Sequence, residues 1–279
     1  EDIDPRCPEG TSGGPGLTDT IILASLGMTK KDVVLISLPR DLYVETGYFR
    51  GKINKAYRSG GGGVDGADLL SRVVGGATGV PVHYYAVVDF EGFEKAIDTL
   101  GGVDVDVERS FDDYKYPVAG QECAPKEEEA AKWEHIHFDA GMQTMNGERA
   151  LKFVRSRHSQ SAEGSDFARS RRQQKVLLAV KRKFLSLSTF SNWDKVRELY
   201  KTFEDYVLTN LNVWEMEQLF RWAQDIENME IKMEVVDGQQ GLLHAVQDDG
   251  RYNNAWVLIP RAGDYSDVRD YVDGLLFPE

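Results

Sequence analysis

Two strand-length apolar runs, Thr20–Leu26 and Val33–Leu38, are separated only by the polar stretch Gly27–Asp32. A crossover between parallel strands needs a dozen or more residues, so a connection this short suits an antiparallel hairpin. Both runs are continuously apolar rather than alternating, as expected for strands covered on two faces. A hairpin sets the start of its first strand beside the end of its second. Asp19 precedes the first run, and Pro39-Arg40-Asp41 breaks regular structure right after the second. Asp19, Arg40 and Asp41 are therefore expected at one edge, where two carboxylates beside an arginine can bind a hard divalent cation and a phosphate together. The plainer reading of the same residues is a turn cap and a surface ion pair. Lys52 follows closely in Lys52-Ile53-Asn54-Lys55-Ala56-Tyr57 and either joins this group or is a surface lysine.

The rest of the chain mixes strand and helix patterns without strict alternation, which predicts an α/β (α+β-like) fold with a mixed central sheet flanked by helices. Helices are expected at Asp65–Thr78, Phe90–Leu100, Asn146–Phe153, Asp166–Leu185, Asn192–Val207, Val213–Glu227 and Tyr265–Leu276. Further strands are expected at Val82–Val88, at the strictly alternating Val103–Val107 and around Trp256–Pro260, with 110–140 irregular. No apolar run approaches the ~18 residues of a membrane span.

The formal net charge of −13 argues against nucleic-acid binding, which needs a basic face. Yet Arg155, Arg157, Arg169, Arg171 and Arg172 crowd into one short region. A local basic site on an acidic protein points to a small anion. In an extended segment Arg155 and Arg157 would point the same way, and guanidinium forks match phosphate oxygens bidentately. On the helix that follows, Arg169, Arg172 and Gln173 stand at i, i+3 and i+4 and share a face near its start, where anions are favoured. His135 and His137 have a spacing open to metal, but no cysteine or carboxylate pattern supports it. No nucleophile elbow, P-loop or dinucleotide-binding glycine pattern is present. Cys7 and Cys123 could pair in a secreted protein or stand as separate thiols in a cytosolic one, and the sequence leaves both open.

In order along the chain, Thr18-Asp19-Thr20-Ile21-Ile22-Leu23, Ile36-Ser37-Leu38-Pro39-Arg40-Asp41, Lys52-Ile53-Asn54-Lys55-Ala56-Tyr57 and Val88-Asp89-Phe90-Glu91-Gly92-Phe93 resemble the LytR-CpsA-Psr family. So do Leu100-Gly101-Gly102-Val103-Asp104-Val105, Met145-Asn146-Gly147-Glu148-Arg149-Ala150-Leu151, Val154-Arg155-Ser156-Arg157-His158, and Asp166-Phe167-Ala168-Arg169 with Arg172-Gln173-Gln174. The resemblance covers residue 4 to about 185, and 186–279 reads as an extension packed on the same single catalytic domain, 1–279.

The resemblance implies a transferase that moves a glycopolymer from a polyprenyl-pyrophosphate carrier to peptidoglycan, with pyrophosphatase activity as a side reaction. It implies a domain on the extracellular face of the cytoplasmic membrane, held by an N-terminal anchor that this sequence lacks. It further implies an apolar lipid tunnel between sheet and helices, and Mg2+ (or Mn2+) as cofactor. Carried over by position, Asp19 and the more loosely matched Asp4 correspond to metal-associated aspartates. Arg40, Arg155, Arg157 and Arg169 correspond to pyrophosphate-binding arginines, with Gln173 as their companion, and Asp41 is a candidate base. Lys52 and Arg172 are counted with the pyrophosphate set. Leu17 stands where the family often has arginine, so one phosphate contact is lost or supplied by Arg6. The rival reading is a non-catalytic module that binds polyprenyl phosphate or a wall polymer.

Overall fold

The structure, a computed structural model, describes residues 16–27, 32–118, 133–186, 193, 196–197, 200–201, 204–224, 231–237, 240–247 and 249–277. Asp4, Arg6, Cys7, Cys123 and the 28–31 connection of the expected hairpin lie outside the described residues.

The first strands are β1 (Ile21–Gly27), β2 (Asp32–Leu38), β3 (Tyr43–Glu45) and β4 (Arg50–Lys52), followed by helices α1 (Ala56–Ser59) and α2 (Gly63–Thr78). Next come β5 (Ala86–Val88), α3 (Phe90–Thr99), β6 (Val103–Val107), β7 (Phe111–Pro117), β8 (Trp133–Phe138), β9 (Gly141–Met145), α4 (Gly147–Arg155) and α5 (Asp166–Ser186). The chain continues through β10 (Val207–Thr209), α6 (Val213–Gln224), β11 (Ile231–Val235), β12 (Leu243–Val246), β13 (Val257–Pro260) and α7 (Ser266–Leu276). The fold is mixed α/β, as its pattern of elements predicts.

Two compact units divide the chain: Phe90–Ser186 belongs to one, and Pro15–Asp89 with Leu187–Glu279 forms the other. In the second unit, β1 and β2 pair antiparallel with Ile21 opposite Leu38, the expected hairpin register. β11 adds to the other side of β2 in parallel, with Ile231 opposite Val33, so the sheet is mixed and β2 is its middle strand. That position explains why five consecutive residues of β2, Val34–Leu38, are buried. Ile36, Leu42, Val44, Ile53, Val73, Val236, Leu243, Val268 and Val272 are fully buried in this unit's core. Each such aliphatic side chain stabilises the fold by roughly 1.5–3 kcal/mol.

The Phe90–Ser186 unit has its own core around Val103, Val105, Phe138, Met145, Phe153 and Val176. β6 buries Val103, Val105 and Val107 and exposes the aspartates between them. α4 starts on Asn146, whose side chain accepts from the Arg149 N–H. A methyl group at Gly147 would meet the Glu94 carbonyl oxygen at 2.2 Å, so glycine is what allows α4 to start against α3.

The region 110–140, read from sequence as irregular, instead holds the antiparallel pair β7 and β8. A bulge between Asp113 and Tyr116 breaks the alternation, and a charged residue takes an inward position, so the apolar pattern is hidden. The strand expected over Val82–Val88 is confined to Ala86–Val88, and Val207, expected at a helix end, is a strand residue.

Candidate functional site

The hairpin brings Asp19, Arg40 and Asp41 together as its register requires. Arg40 forms an ion pair with Asp19 through Nη1, and its Nε lies 3.3 Å from Asp41 Oδ2. Lys52, at the end of β4, puts Nζ 2.6 Å from Asp41 Oδ1. The four side chains make a string of alternating charge in which Asp41 is 8% exposed and Asp19 33%. Both Asp41 oxygens are therefore taken by cations, which suits an anchor for Arg40 better than a proton acceptor. Backbone bonds hold the same corner. Leu42 N–H closes the turn on Pro39 O at 3.0 Å, and Asn54 N–H donates to Arg40 O at 3.2 Å. Thr18 donates to Asn54 O from both its N–H and its hydroxyl. Leu17 is exposed beside this corner.

Among the described residues, no group of three or more acidic, histidine or cysteine side chains is arranged to hold a metal ion. Asp19 supplies a single, partly exposed carboxylate with Oδ1 on Arg40. One carboxylate completed by phosphate oxygens and water is a donor set that Mg2+ accepts, because it keeps most of its water and shuns all-protein cages. His135 and His137 lie elsewhere, bonded to Asp112 at 2.7 and 2.9 Å.

In the Phe90–Ser186 unit the second cluster is built at the carbonyl end of α4. The helix runs through Arg155 before Ser156 turns extended (ψ 134°), so Arg155 and Arg157 straddle a helix end and do not share the extended segment expected for them. Arg155 stands in the last turn, where cations are favoured. Its guanidinium carbon lies 4.0 Å from the Phe90 ring centroid and 5.7 Å from that of Tyr116. These rings orient a planar cation through their negative faces. Burial pushes the Tyr116 hydroxyl up, with Arg155 pulling the other way.

Arg157 follows in a loop held by Asp113, a residue the sequence reading missed. The Arg157 and His158 N–H groups donate to Asp113 Oδ2 at 3.0 and 3.1 Å, and the Ser156 hydroxyl donates to the same oxygen at 2.7 Å. Lys115 N–H donates to Oδ1 at 2.9 Å. Burial alone would push this carboxyl up, but these bonds outweigh it and hold it below the usual carboxylate range.

Arg172 and Gln173, expected to face a ligand from α5, reach instead to the end of α4. Arg172 Nε donates to Phe153 O at 2.9 Å, Nη2 donates to Ser156 O, and Nη1 binds Glu163 through its carbonyl at 2.8 Å and its carboxylate at 3.0 Å. Gln173 Nε2 donates to Val154 O at 3.4 Å. Together they satisfy carbonyls that a helix terminus leaves without intrahelical partners. Burial is the largest influence on Arg172 and pushes its guanidinium down to about 10, against the pull of Glu163. Arg169 is buried in the first turn of α5, at 4% exposure.

A family model described as the LytR_cpsA_psr family matches residues 4–270, running through both units. The polyisoprenyl-teichoic acid–peptidoglycan teichoic acid transferase TagV of Bacillus subtilis (strain 168) is 32% identical over 209 residues, covering 74% of this chain and 48% of that protein. The regulatory protein MsrR of Staphylococcus aureus (strain COL) is 33% identical over 202 residues, covering 71% and 53%. The crystal structure of B. subtilis TagV superposes with a TM-score of 0.69 at 27% identity, covering 96% of this chain and 92% of that one. The chain spans about half the length of the curated relatives it matches.

Proposed function

The chain belongs to the LytR-CpsA-Psr family, and from that premise we propose that it transfers a glycopolymer from a polyprenyl-pyrophosphate carrier to peptidoglycan. The observation that carries the reading is the end of α4, where the buried side chains of Asp113 and Arg172 hold the backbone that carries Arg155 and Arg157. Arg155, Arg157 and Arg169 are assigned to the pyrophosphate, with Arg172 and Gln173 as supports of the helix end from which two of them project. Arg40 is assigned to phosphate as well, and Asp41 and Lys52 fix its direction.

The acceptor sugar's hydroxyl attacks the phosphorus that carries the glycan. The bond from that phosphorus to the bridging oxygen breaks, polyprenyl phosphate leaves, and the hydroxyl's proton passes to solvent. Preorganised guanidinium groups stabilise the charge that develops on the departing phosphate, and positioning supplies most of the rest. Asp19 and the substrate's own phosphate oxygens would hold Mg2+, which when bound neutralises pyrophosphate charge. Mn2+ would serve in its place. The polyprenyl tail is assigned to an apolar channel between strands and helices.

The proposed setting is the outer face of the cytoplasmic membrane, reached through an N-terminal anchor. Among the described residues, no helix is long and apolar enough to cross a membrane. The teichoic acid transferase named among its relatives supports a transfer to peptidoglycan.

The test is turnover of a polyprenyl-pyrophosphate-linked glycan with peptidoglycan fragments, in Mg2+, Mn2+ or chelator. Polymer transfer that requires the cation is the expected result, and phosphate release from polyprenyl pyrophosphate alone reports the hydrolytic side reaction. Tight binding of the lipid without turnover in either cation would instead identify a binding module.

A further inference from the structure

Asp113 occupies an inward position of β7 at 0% exposure, within an otherwise aromatic and aliphatic core. A buried carboxylate is costly unless its oxygens are satisfied, and an apolar residue would suit this face of the strand. Three of its four donors come from consecutive residues at one place, the Ser156 hydroxyl and the Arg157 and His158 N–H groups, all on Oδ2. Arg172 takes the Phe153 and Ser156 carbonyls. The chain leaving α4 is thus gripped by a buried acid through its N–H groups and by a buried base through its carbonyls. Its direction at Arg157 is set by partners that are themselves buried.

We propose that Asp113 is a positioning residue for the transfer reaction, acting through Arg157 by fixing the backbone from which that side chain projects. The inference rests on the assignment of Arg157 to the pyrophosphate. Asp113 has no contact with substrate in this reading. Its effect is to keep one guanidinium within the narrow range of places where it meets a phosphate oxygen.

The experiment is a double-mutant cycle on the full chain, read as kcat/KM for polyprenyl-pyrophosphate-linked glycan, with thermal melting of each variant. Asp113→Asn keeps the side chain's shape and removes its charge, and is expected to lower kcat/KM by about a hundredfold, the scale of an ångström-sized misplacement. In an Arg157→Ala background the same substitution should change turnover by less than about twofold, because the group it positions is gone. A purely structural role would lower both backgrounds by the same factor, and that result overturns the proposal, as does Asp113→Asn at the wild-type rate. If Asp113→Asn does not fold, Ser156→Ala removes one donor and leaves the acid paired. Its smaller loss must likewise vanish without Arg157, and a loss that persists there overturns the proposal. Wild-type turnover in Arg157→Ala alone is a separate outcome: it removes the pyrophosphate assignment itself, and this inference with it.

Discussion

Lys52 reaches Asp41 from the end of β4, with Nζ 2.6 Å from Oδ1 of a carboxylate that is 8% exposed. The same carboxylate holds Arg40 Nε through its other oxygen. Asp41→Asn leaves two partly buried cations facing a neutral amide. It should destabilise the protein by about 2 kcal/mol, below the range for a fully buried pair because Arg40 and Lys52 keep some solvent. Urea unfolding at neutral pH measures this. An unchanged midpoint would mean that the string of charges contributes nothing.

Arg155→Lys retains the positive charge but loses the planar fork and its stacking on Phe90. Turnover should fall by about tenfold to a hundredfold with little change in melting temperature. A lysine variant at full rate would show that only charge is required there.

Arg172→Ala removes a guanidinium that is 3% exposed and leaves the Phe153 and Ser156 carbonyls and the Glu163 carboxylate without their donor. The expected loss is about 3–5 kcal/mol, the scale for one partner removed from a buried pair. Thermal unfolding reads it directly, and a loss under about 1 kcal/mol would place Arg172 among ordinary surface contacts.

His137 is bonded to Asp139 at 3.1 Å and to Asp112 at 2.9 Å, and these carboxylates raise its imidazole above the ordinary value. A raised folded-state value means the protonated form is favoured in the folded chain. The stabilisation is fully present below the unfolded value of about 6.5 and is lost as pH rises through the folded one. Melting temperature should therefore decline over that window, and the decline should be absent in His137→Gln. A profile shared by both proteins would assign the effect to another group.

The net charge of −13 predicts no measurable affinity for duplex DNA at physiological salt. A gel-shift or anisotropy titration that found binding with a steep salt dependence would contradict this.

The hairpin group was legible because two apolar runs and a short connection fix a register, and register alone puts Asp19 beside Arg40. The arginine cluster was legible as charge but not as geometry. Nothing in Val154-Arg155-Ser156-Arg157-His158 says that α4 persists to Arg155. Helix periodicity groups Arg169, Arg172 and Gln173 on one face, yet it is silent on reach, and the last two side chains bend to carbonyls of a neighbouring element. Asp113 was hidden because Asp112-Asp113-Tyr114-Lys115 looks like a solvated loop, and only the pairing with β8 shows which aspartate turns inward. β11 escaped notice although Ile231-Lys232-Met233-Glu234-Val235 alternates as a half-buried strand does; the run is short, and its partner is nearly two hundred positions away.

That last pairing has a consequence for how the chain is made. Until Ile231–Val235 has emerged from the ribosome, β2 has β1 on one side and an open row of amide and carbonyl groups on the other. The whole Phe90–Ser186 unit is synthesised in the interval and can collapse around its own core. A nascent or truncated chain ending before Val235 therefore carries a finished insert within an unfinished host, with an apolar strand edge open to association. Holdase chaperones that delay collapse would act on that edge, and the corner carrying Asp19 and Arg40 would be among the last parts of the molecule to become rigid.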